Sequence, residues 1–299
     1  MFAPRPLADV ARDIGLDPTD RSYHPHGHDF AKIDTVAAGP GAHTGKLIVV
    51  SAVTPTPLGE GKTVTSISLS MGLNRIGAPS IVCLRQPSLG PVFGSKGGGA
   101  GGGKAQVIPA DAINLGMTGD GHAIGAAHNL LAAMIDAHLR HGNELRLDPV
   151  RLTWPRVSPV NDGSLRKLVV GLGGPLNGVP RETFFEINEA SEVMAIVALA
   201  QDRADLRRRL GAIVLGQDQG GAPVRVEQLG AAGAMNVLLR DALYPTLTQT
   251  SEGSPALIHA GPFANIAHGN NSILATRFAL GRAPWVVTEC GFGSDLGLE

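Results

Sequence analysis

From Lys46 onward the chain alternates short apolar runs with longer stretches of helical spacing. "KLIVVSAV" (Lys46–Val53) is a continuous apolar run rich in β-branched residues, which predicts a strand buried on both faces. Beyond Gly61, Val64, Ile67 and Met71 form one stripe and Leu69, Leu73 and Ile76 a neighbouring one. That spacing predicts a helix with much of its surface buried, stopped by "IGAP" at Ile76–Pro79. "SIVCL" (Ser80–Leu84) is the next strand, so strand, loop, helix and strand make a βαβ unit with a right-handed crossover. Further strands are predicted at "KLVVGL" (Lys167–Leu172), "AIVLG" (Ala212–Gly216), "ALIHAG" (Ala256–Gly261) and "WVVTEC" (Trp285–Cys290). Helices are predicted over His122–Leu139, where Ile124, Leu131 and Ile135 share a face, over Glu189–Arg209, and from about Asn265. The alternation predicts an α/β fold with a mostly parallel sheet covered by helices. Residues 1–45 are expected to form an N-terminal arm with a short helix near Leu7–Ile14, ahead of a nucleotide-binding domain over 46–299.

Composition narrows the picture. The 299 residues carry a formal net charge of −1, so nothing draws the chain to nucleic acid or an anionic membrane. Aromatics are only 4 %, which leaves an aliphatic core. The two cysteines, Cys83 and Cys290, read as buried thiols in a reducing compartment rather than a disulfide. No apolar stretch is long enough for a membrane span and none near Met1 suits a signal peptide, so the cytoplasm is the expected compartment. "HPHGH" (His24–His28) reads as a solvated turn rather than a metal site. "GSKGGGAGGGKAQ" (Gly94–Gln106) reads as a backbone-rich loop packed close to a ligand or a neighbouring chain, with a plain flexible linker as the alternative.

The candidate chemistry sits between the first predicted strand and helix. In "TPTPLGEGKT" (Thr54–Thr63), Thr56 stands where the pattern G-x-x-x-x-G-K-[ST] has its first glycine. The setting is nevertheless that of a phosphate loop, following a buried strand and opening a helix. Backbone N–H groups of Gly59 to Thr63 are expected to point at phosphate oxygens, aided by the positive end of the helix. Lys62 is expected to reach the β- and γ-phosphates, and the Thr63 hydroxyl to hold Mg²⁺. Pro55 and Pro57 lack an N–H and stiffen the approach. Thr56, Pro57, Leu58, Gly59, Glu60, Gly61, Lys62 and Thr63 are the candidate nucleotide site. Arg85 closes the next strand and should lie near Lys62, where two cations suit a transferring phosphoryl group and an anionic acceptor. A structural pairing with a carboxylate is the equal alternative. Asp120, in "TGDGH", is either a helix N-cap or a cation ligand. His268 is either a general base or a loop histidine in a structural hydrogen bond.

The stretches "TPTPLGEGKT", "VCLRQPSLGPVFGSKGGGAGGG", "AHNLLAAMIDAHL", "NGVPRETFFEI", "ASEVMA", "GPFANIAHGNNSI" and "VVTECGFGSDLG" together resemble the formate–tetrahydrofolate ligase family, in order and over nearly the whole chain. The resemblance implies a P-loop-containing nucleotide hydrolase-like core. It also implies ATP-dependent activation of formate to formyl phosphate, followed by formyl transfer to N10 of tetrahydrofolate. Mg²⁺, activation by a monovalent cation (K⁺ or NH₄⁺) and a cytoplasmic homotetramer go with it. ATP then falls on Thr56–Thr63, and formyl phosphate and the transferring group on Lys62 and Arg85. Asp120 is the candidate for the monovalent cation. The chain departs from the family pattern at Gln86, where the motif has glutamate, and at Lys104 and Gly116, where bulkier residues stand. It stops at Glu299, where members of the family continue for about as many residues again, including much of the folate pocket, so a truncated ligase is expected. Two alternatives stand beside it. One is a partner-binding P-loop switch ATPase, whose loops carry an extra lysine that Thr54–Glu60 lacks. The other is an inactive fragment with an exposed, aggregation-prone sheet edge.

Overall fold

In the computed structural model, which describes residues 4–57, 59–94 and 98–296, nine strands form one central sheet. They are β1 (Tyr23–His26), β2 (Phe30–Ile33), β3 (Lys46–Val50), β4 (Ser80–Leu84), β5 (Gly101–Gly102), β6 (Ala105–Ile108), β7 (Thr246–Thr250), β8 (Pro255–Ile258) and β9 (Trp285–Glu289). Their order is β1-β2-β7-β8-β4-β9-β3, with β6 also on β7 and β5 on β6. β8, β4, β9 and β3 run parallel, whereas β1, β2, β7 and β8 are joined antiparallel. The sheet is therefore mixed rather than mostly parallel. The reason is local: β7 and β8 are separated only by the Ser251–Ser254 turn, too short for a crossover, and so must form a hairpin.

Helices cover both faces. The side chains of β4 alternate between two cores. Ile81 and Cys83 enter one core with Leu7, Val10 and Ala11 of helix α1 (Leu7–Asp13) and with Phe278 of a later helix, while Val82 and Leu84 enter the other with Ile67 and Met71 of α2 (Lys62–Arg75). α2 presents Ser66, Ile67, Ser70 and Met71 inward and leaves Ile76 exposed. Its buried stripe is thus narrower and more polar than the apolar positions predict, because Ser70 and Asn74 bind Ser80 at the start of β4. A third core gathers around α3 (Asp120–Arg140), α4 (Glu192–Leu199) and α5 (Arg203–Ala212), against a three-stranded sheet of Leu147–Leu152, Val214–Asp218 and Pro223–Arg225.

Several sequence expectations change. "KLIVV" is the edge strand rather than a doubly buried one: Leu47 is 44 % and Val49 41 % exposed. An apolar run cannot by itself distinguish a central strand from an edge. β9 lies between β3 and β4, so the predicted βαβ unit skips one strand. Residues 1–45 do not stand off as an arm, since β2 pairs with β7. The predicted strands near Lys167 and Ala212 belong to small separate sheets. The Glu189–Arg209 helix is broken after Leu199, where Asp202 caps α5 by accepting from the Asp205 N–H. The last predicted helix begins later, as α6 (Ile273–Leu280), capped by Ser272. Part of the glycine-rich stretch forms the β5–β6 hairpin. A side chain at Gly101 would stand 2.2 Å from the Ala105 carbonyl oxygen, so only glycine fits. Ser95–Gly97 of that stretch, and Leu58 of the loop, lie outside the described residues. Among the described residues no helix is long and apolar enough to cross a membrane.

The two apolar environments of the sheet differ measurably. Ile81→Ala, at a fully buried position, should cost about 2–5 kcal/mol. Val49→Ala on the edge strand should cost less than about 1 kcal/mol. Urea unfolding of the two variants checks this, and equal losses would place β3 inside a core.

Candidate functional site: a loop and a buried glutamate at the sheet's carboxyl edge

Strands β3, β9 and β4 lie side by side and parallel, and the segments that follow them converge with the segment after β8. In open α/β sheets this carboxyl edge is where ligands sit. Close approach of backbones defines the place. A side chain at Gly293 would stand 2.9 Å from the Thr54 Cα, and one at Gly261 2.5 Å from the Gln86 carbonyl oxygen. Direct hydrogen bonds tie the segments together: Ser294 N–H donates to the Ala52 carbonyl at 2.7 Å and Gln86 N–H to the Ala260 carbonyl at 2.6 Å.

The loop after β3 turns on Gly59 and Gly61, whose φ angles of 88° and 75° are left-handed. Gly61 immediately precedes α2. The Gly59 N–H donates to the Thr56 carbonyl at 3.1 Å and closes the turn, so this donor is engaged within the loop rather than pointed at a phosphate site as expected. Inside the loop sits the carboxylate of Glu60. One of its oxygens accepts from the Thr56 N–H and the other from the Lys62 ammonium. The Lys62 hydrogen bond and then the Thr56 N–H hold the Glu60 carboxyl down to about 2. The loop thus already surrounds an anion, one supplied by its own chain.

Thr63 is the second residue of α2, and its hydroxyl donates to Glu289 Oε2 at 2.5 Å. The other oxygen, Oε1, lies 3.7 Å from Arg85 Nε. Glu289 ends β9 and is 4 % exposed. Arg85 Nη1 donates to the Pro262 carbonyl at 3.3 Å, and its Nε has no hydrogen-bond partner among the described residues. The structure therefore brings Thr63 and Arg85 to one carboxylate, while Lys62 faces back into the loop. Sequence reasoning passes over Glu289, although the rule that singles out Arg85, a charged residue closing an apolar strand, picks it out equally well.

Asp120 is placed differently. It is the first residue of α3, and Gly119 occupies the cap position with φ 83°. Its Oδ2 meets the Lys32 ammonium at 2.5 Å and its Oδ1 accepts from the Thr118 hydroxyl at 3.1 Å. Lys32 also donates to the Tyr244 carbonyl at 2.7 Å, and both members of the ion pair are buried. Burial lowers the Lys32 pKa, and Asp120 opposes that. His268 accepts from the Asn270 N–H at 3.3 Å, and burial holds its pKa below the ordinary value. Beside Arg85, Gln86 and Glu189 line a small cavity with Pro87 and His122. Among the described residues Gln86 Oε1 and Glu189 Oε2 have no donor, and burial lifts the Glu189 carboxyl to about 7. A carboxyl group therefore stands in this cavity although position 86 is an amide.

Fold and site together define an α/β protein with an anion-holding strand–loop–helix junction at the carboxyl edge of parallel strands. A family model described as formate–tetrahydrofolate ligase matches residues 2–299, and the chain belongs to that family. It is 58 % identical over 296 residues to a formate–tetrahydrofolate ligase of Paracoccus denitrificans, covering 98 % of this chain and 53 % of the relative. It is 55 % identical over 297 residues to one of Thermotoga maritima, covering 99 % and 54 %. One of Saccharopolyspora erythraea is 53 % identical over 297 residues, covering 99 % and 52 %. The chain spans about half the length of these relatives.

The Glu189 carboxyl makes stability depend on pH with a defined sign. Its folded pKa of about 7 exceeds the ordinary 4.5, so the folded chain holds this proton more tightly. Its contribution is intact in acid and is lost as pH rises from 4.5 through 7. The loss reaches about 3 kcal/mol above that range, at roughly 1.4 kcal/mol per pH unit. Glu189→Gln should therefore stabilise the chain at about pH 8 and change little at the acid end. Thermal unfolding at the two pH values checks it, and equal shifts at both would refute the assignment.

Proposed function

We propose that this chain carries the ATP-binding, formate-activating part of a formate–tetrahydrofolate ligase, built on a P-loop-containing nucleotide hydrolase-like fold. A formate oxygen attacks the γ-phosphorus of ATP, the bond to ADP breaks with its electron pair leaving on ADP, and formyl phosphate forms. The formyl group then passes to N10 of tetrahydrofolate and phosphate departs. The remaining half of the relatives' length would supply much of the tetrahydrofolate pocket. The cytoplasmic homotetramer implied by the resemblance would be the assembly.

The observation that carries this reading is the Glu60 carboxylate lodged between the Thr56 N–H and the Lys62 ammonium. Lys62 is the first residue of α2, and helix N-termini favour anions and commonly bind phosphates. When ATP enters, phosphate oxygens replace the carboxylate and Lys62 turns from Glu60 to the β- and γ-phosphates. The segment Thr56–Thr63 follows the triphosphate with its backbone. Formate is an anion that must approach a polyanion, and Arg85 offsets the repulsion and fixes the line of attack. The Thr63 hydroxyl beside a buried carboxylate is a hard-oxygen setting that fits Mg²⁺. Mg²⁺ held by Thr63 would neutralise charge on the β- and γ-oxygens. A monovalent cation does not fit at Asp120, whose charge is balanced by Lys32 and whose two oxygens both have donors.

Titration of labelled ATP tests the site. Lys62→Ala should weaken binding by about tenfold or more, the equivalent of one hydrogen bond to a charged group. Equal binding by variant and wild type would remove the loop from the nucleotide site. Glu60→Gln should bind ATP more tightly, because the competing anion is gone. Weaker binding would mean that Glu60 assists the nucleotide instead.

A further inference from the structure

One face of the edge strand lacks a cover. Ile48 and Val50 of β3 pack on the core beneath α2. Leu47 and Val49 point the other way, to the side of α6, and stay exposed. α6 covers the neighbouring Val286 of β9 but not these two residues. Leu47 and Val49 floor a groove walled by Leu199 and Ile273, and its volume of about 440 Å³ admits a row of side chains rather than one small group. Among the described strands β3 pairs only with β9, so its other edge is free.

The topology of the sheet says what would fill this place. β3–α2–β4 and β8–α6–β9 both join parallel strands. They cross the sheet in opposite directions and put their helices on opposite faces, so both have the same hand, as crossovers do. A further crossover from β9 to a strand on the free edge of β3 would run in the direction of β8–α6–β9. Its helix must then lie on the face of α6, over Leu47 and Val49. The backbone beyond β9 already heads there. Cys290 N–H donates to the Val50 carbonyl at 3.1 Å and Ser294 N–H to the Ala52 carbonyl at 2.7 Å, which carries it over the end of β3. The polypeptide for such a unit exists in the relatives, of which this chain covers 53 % in the Paracoccus denitrificans case.

We propose that this face docks one amphipathic helix and one strand from the half of the ligase that this chain does not match. The helix lays an apolar stripe into the groove, and the strand extends the sheet in parallel along β3. Five residues of β3 call for a helix of about 11, at 3.3 Å against 1.5 Å of rise per residue. This assignment rests on family membership and sheet topology, and it stands or falls apart from the nucleotide reading.

The probe is a labelled peptide of about 30 residues, the length of one crossover unit, taken from the Paracoccus denitrificans relative directly after its matched region. Fluorescence anisotropy should show saturable binding to the wild-type chain, and amide exchange along Leu47–Val50 should slow when it binds. Val49→Lys should weaken binding by about tenfold or more, because an ammonium would be buried against the helix without a partner. Leu47→Ala should weaken it several-fold, so the test does not depend on the Lys variant folding. Val150→Lys, at an exposed position on the three-stranded sheet, should bind like the wild type. No binding by the wild-type chain, undiminished binding by both β3 variants, or unchanged exchange along β3 overturns the proposal. So does a dimer of the wild-type chain in sedimentation that Val49→Lys dissolves, because a second copy would then be the occupant.

Discussion

Burying an ionised carboxylate is unfavourable unless donors or opposite charge meet it, and the Glu289 carboxylate imposes that demand at the edge of the sheet. Three separately built pieces answer it. The first turn of α2 brings the Thr63 hydroxyl, the end of β4 brings Arg85, and the position of β9 between β3 and β4 brings Glu289 to both. A change of strand order would separate them. Glycine contributes as well, since a side chain at Gly291 would stand 3.0 Å from Arg85 Nη1. The loop's own anion, Glu60, meets a similar need on a smaller scale by giving Lys62 a partner.

The interior is unusually polar along β7, where Thr246, Thr248, Gln249 and Thr250 are all buried. Three of them find a neutral hydrogen-bond partner rather than a charge. The Thr248 hydroxyl donates to the Ile108 carbonyl at 2.7 Å, the Gln249 amide donates to the Arg5 carbonyl at 2.8 Å, and the Thr250 hydroxyl meets that of Ser254 at 2.6 Å. The first two bonds join β6 and the N-terminal segment to the middle of the sheet, and the third closes the β7–β8 turn. The Lys32–Asp120 pair does the same between β2 and α3. Removing one partner of such a pair leaves a bare buried charge, so these contacts specify where the pieces dock as much as they stabilise them.

This polarity explains which parts of the fold are legible in the sequence. β4, β8 and β9 are apolar runs bounded by turn residues, and α2 and α3 carry helical stripes, so all five can be read directly. "TLTQT" and "YHPH" show neither an apolar run nor alternation, so the antiparallel half of the sheet is invisible until pairing is known. The expected parallel architecture therefore describes only half of it. At the site, Lys62, Thr63 and Arg85 are legible because motif spacing and strand ends mark them. Glu189 is not, because its altered carboxyl comes from burial in a cavity whose walls are far apart in sequence. Asp120 is legible as a special residue but not in its role, because its partner Lys32 lies 88 positions away.

The two thiols gain a use from their positions. Cys83 sits fully buried in the middle of β4, and burial raises its pKa, so it stays unreactive while the sheet is closed. Cys290 is equally buried but follows Glu289 directly, with its Sγ 3.6 Å from the Val50 carbonyl at the start of the loop. Local opening at the carboxyl edge needs less free energy than opening of the whole sheet. The chain thus carries two chemical clocks: the rate at which Cys290 meets a thiol reagent times the breathing of the loop region, and the rate for Cys83 times the unfolding of the sheet.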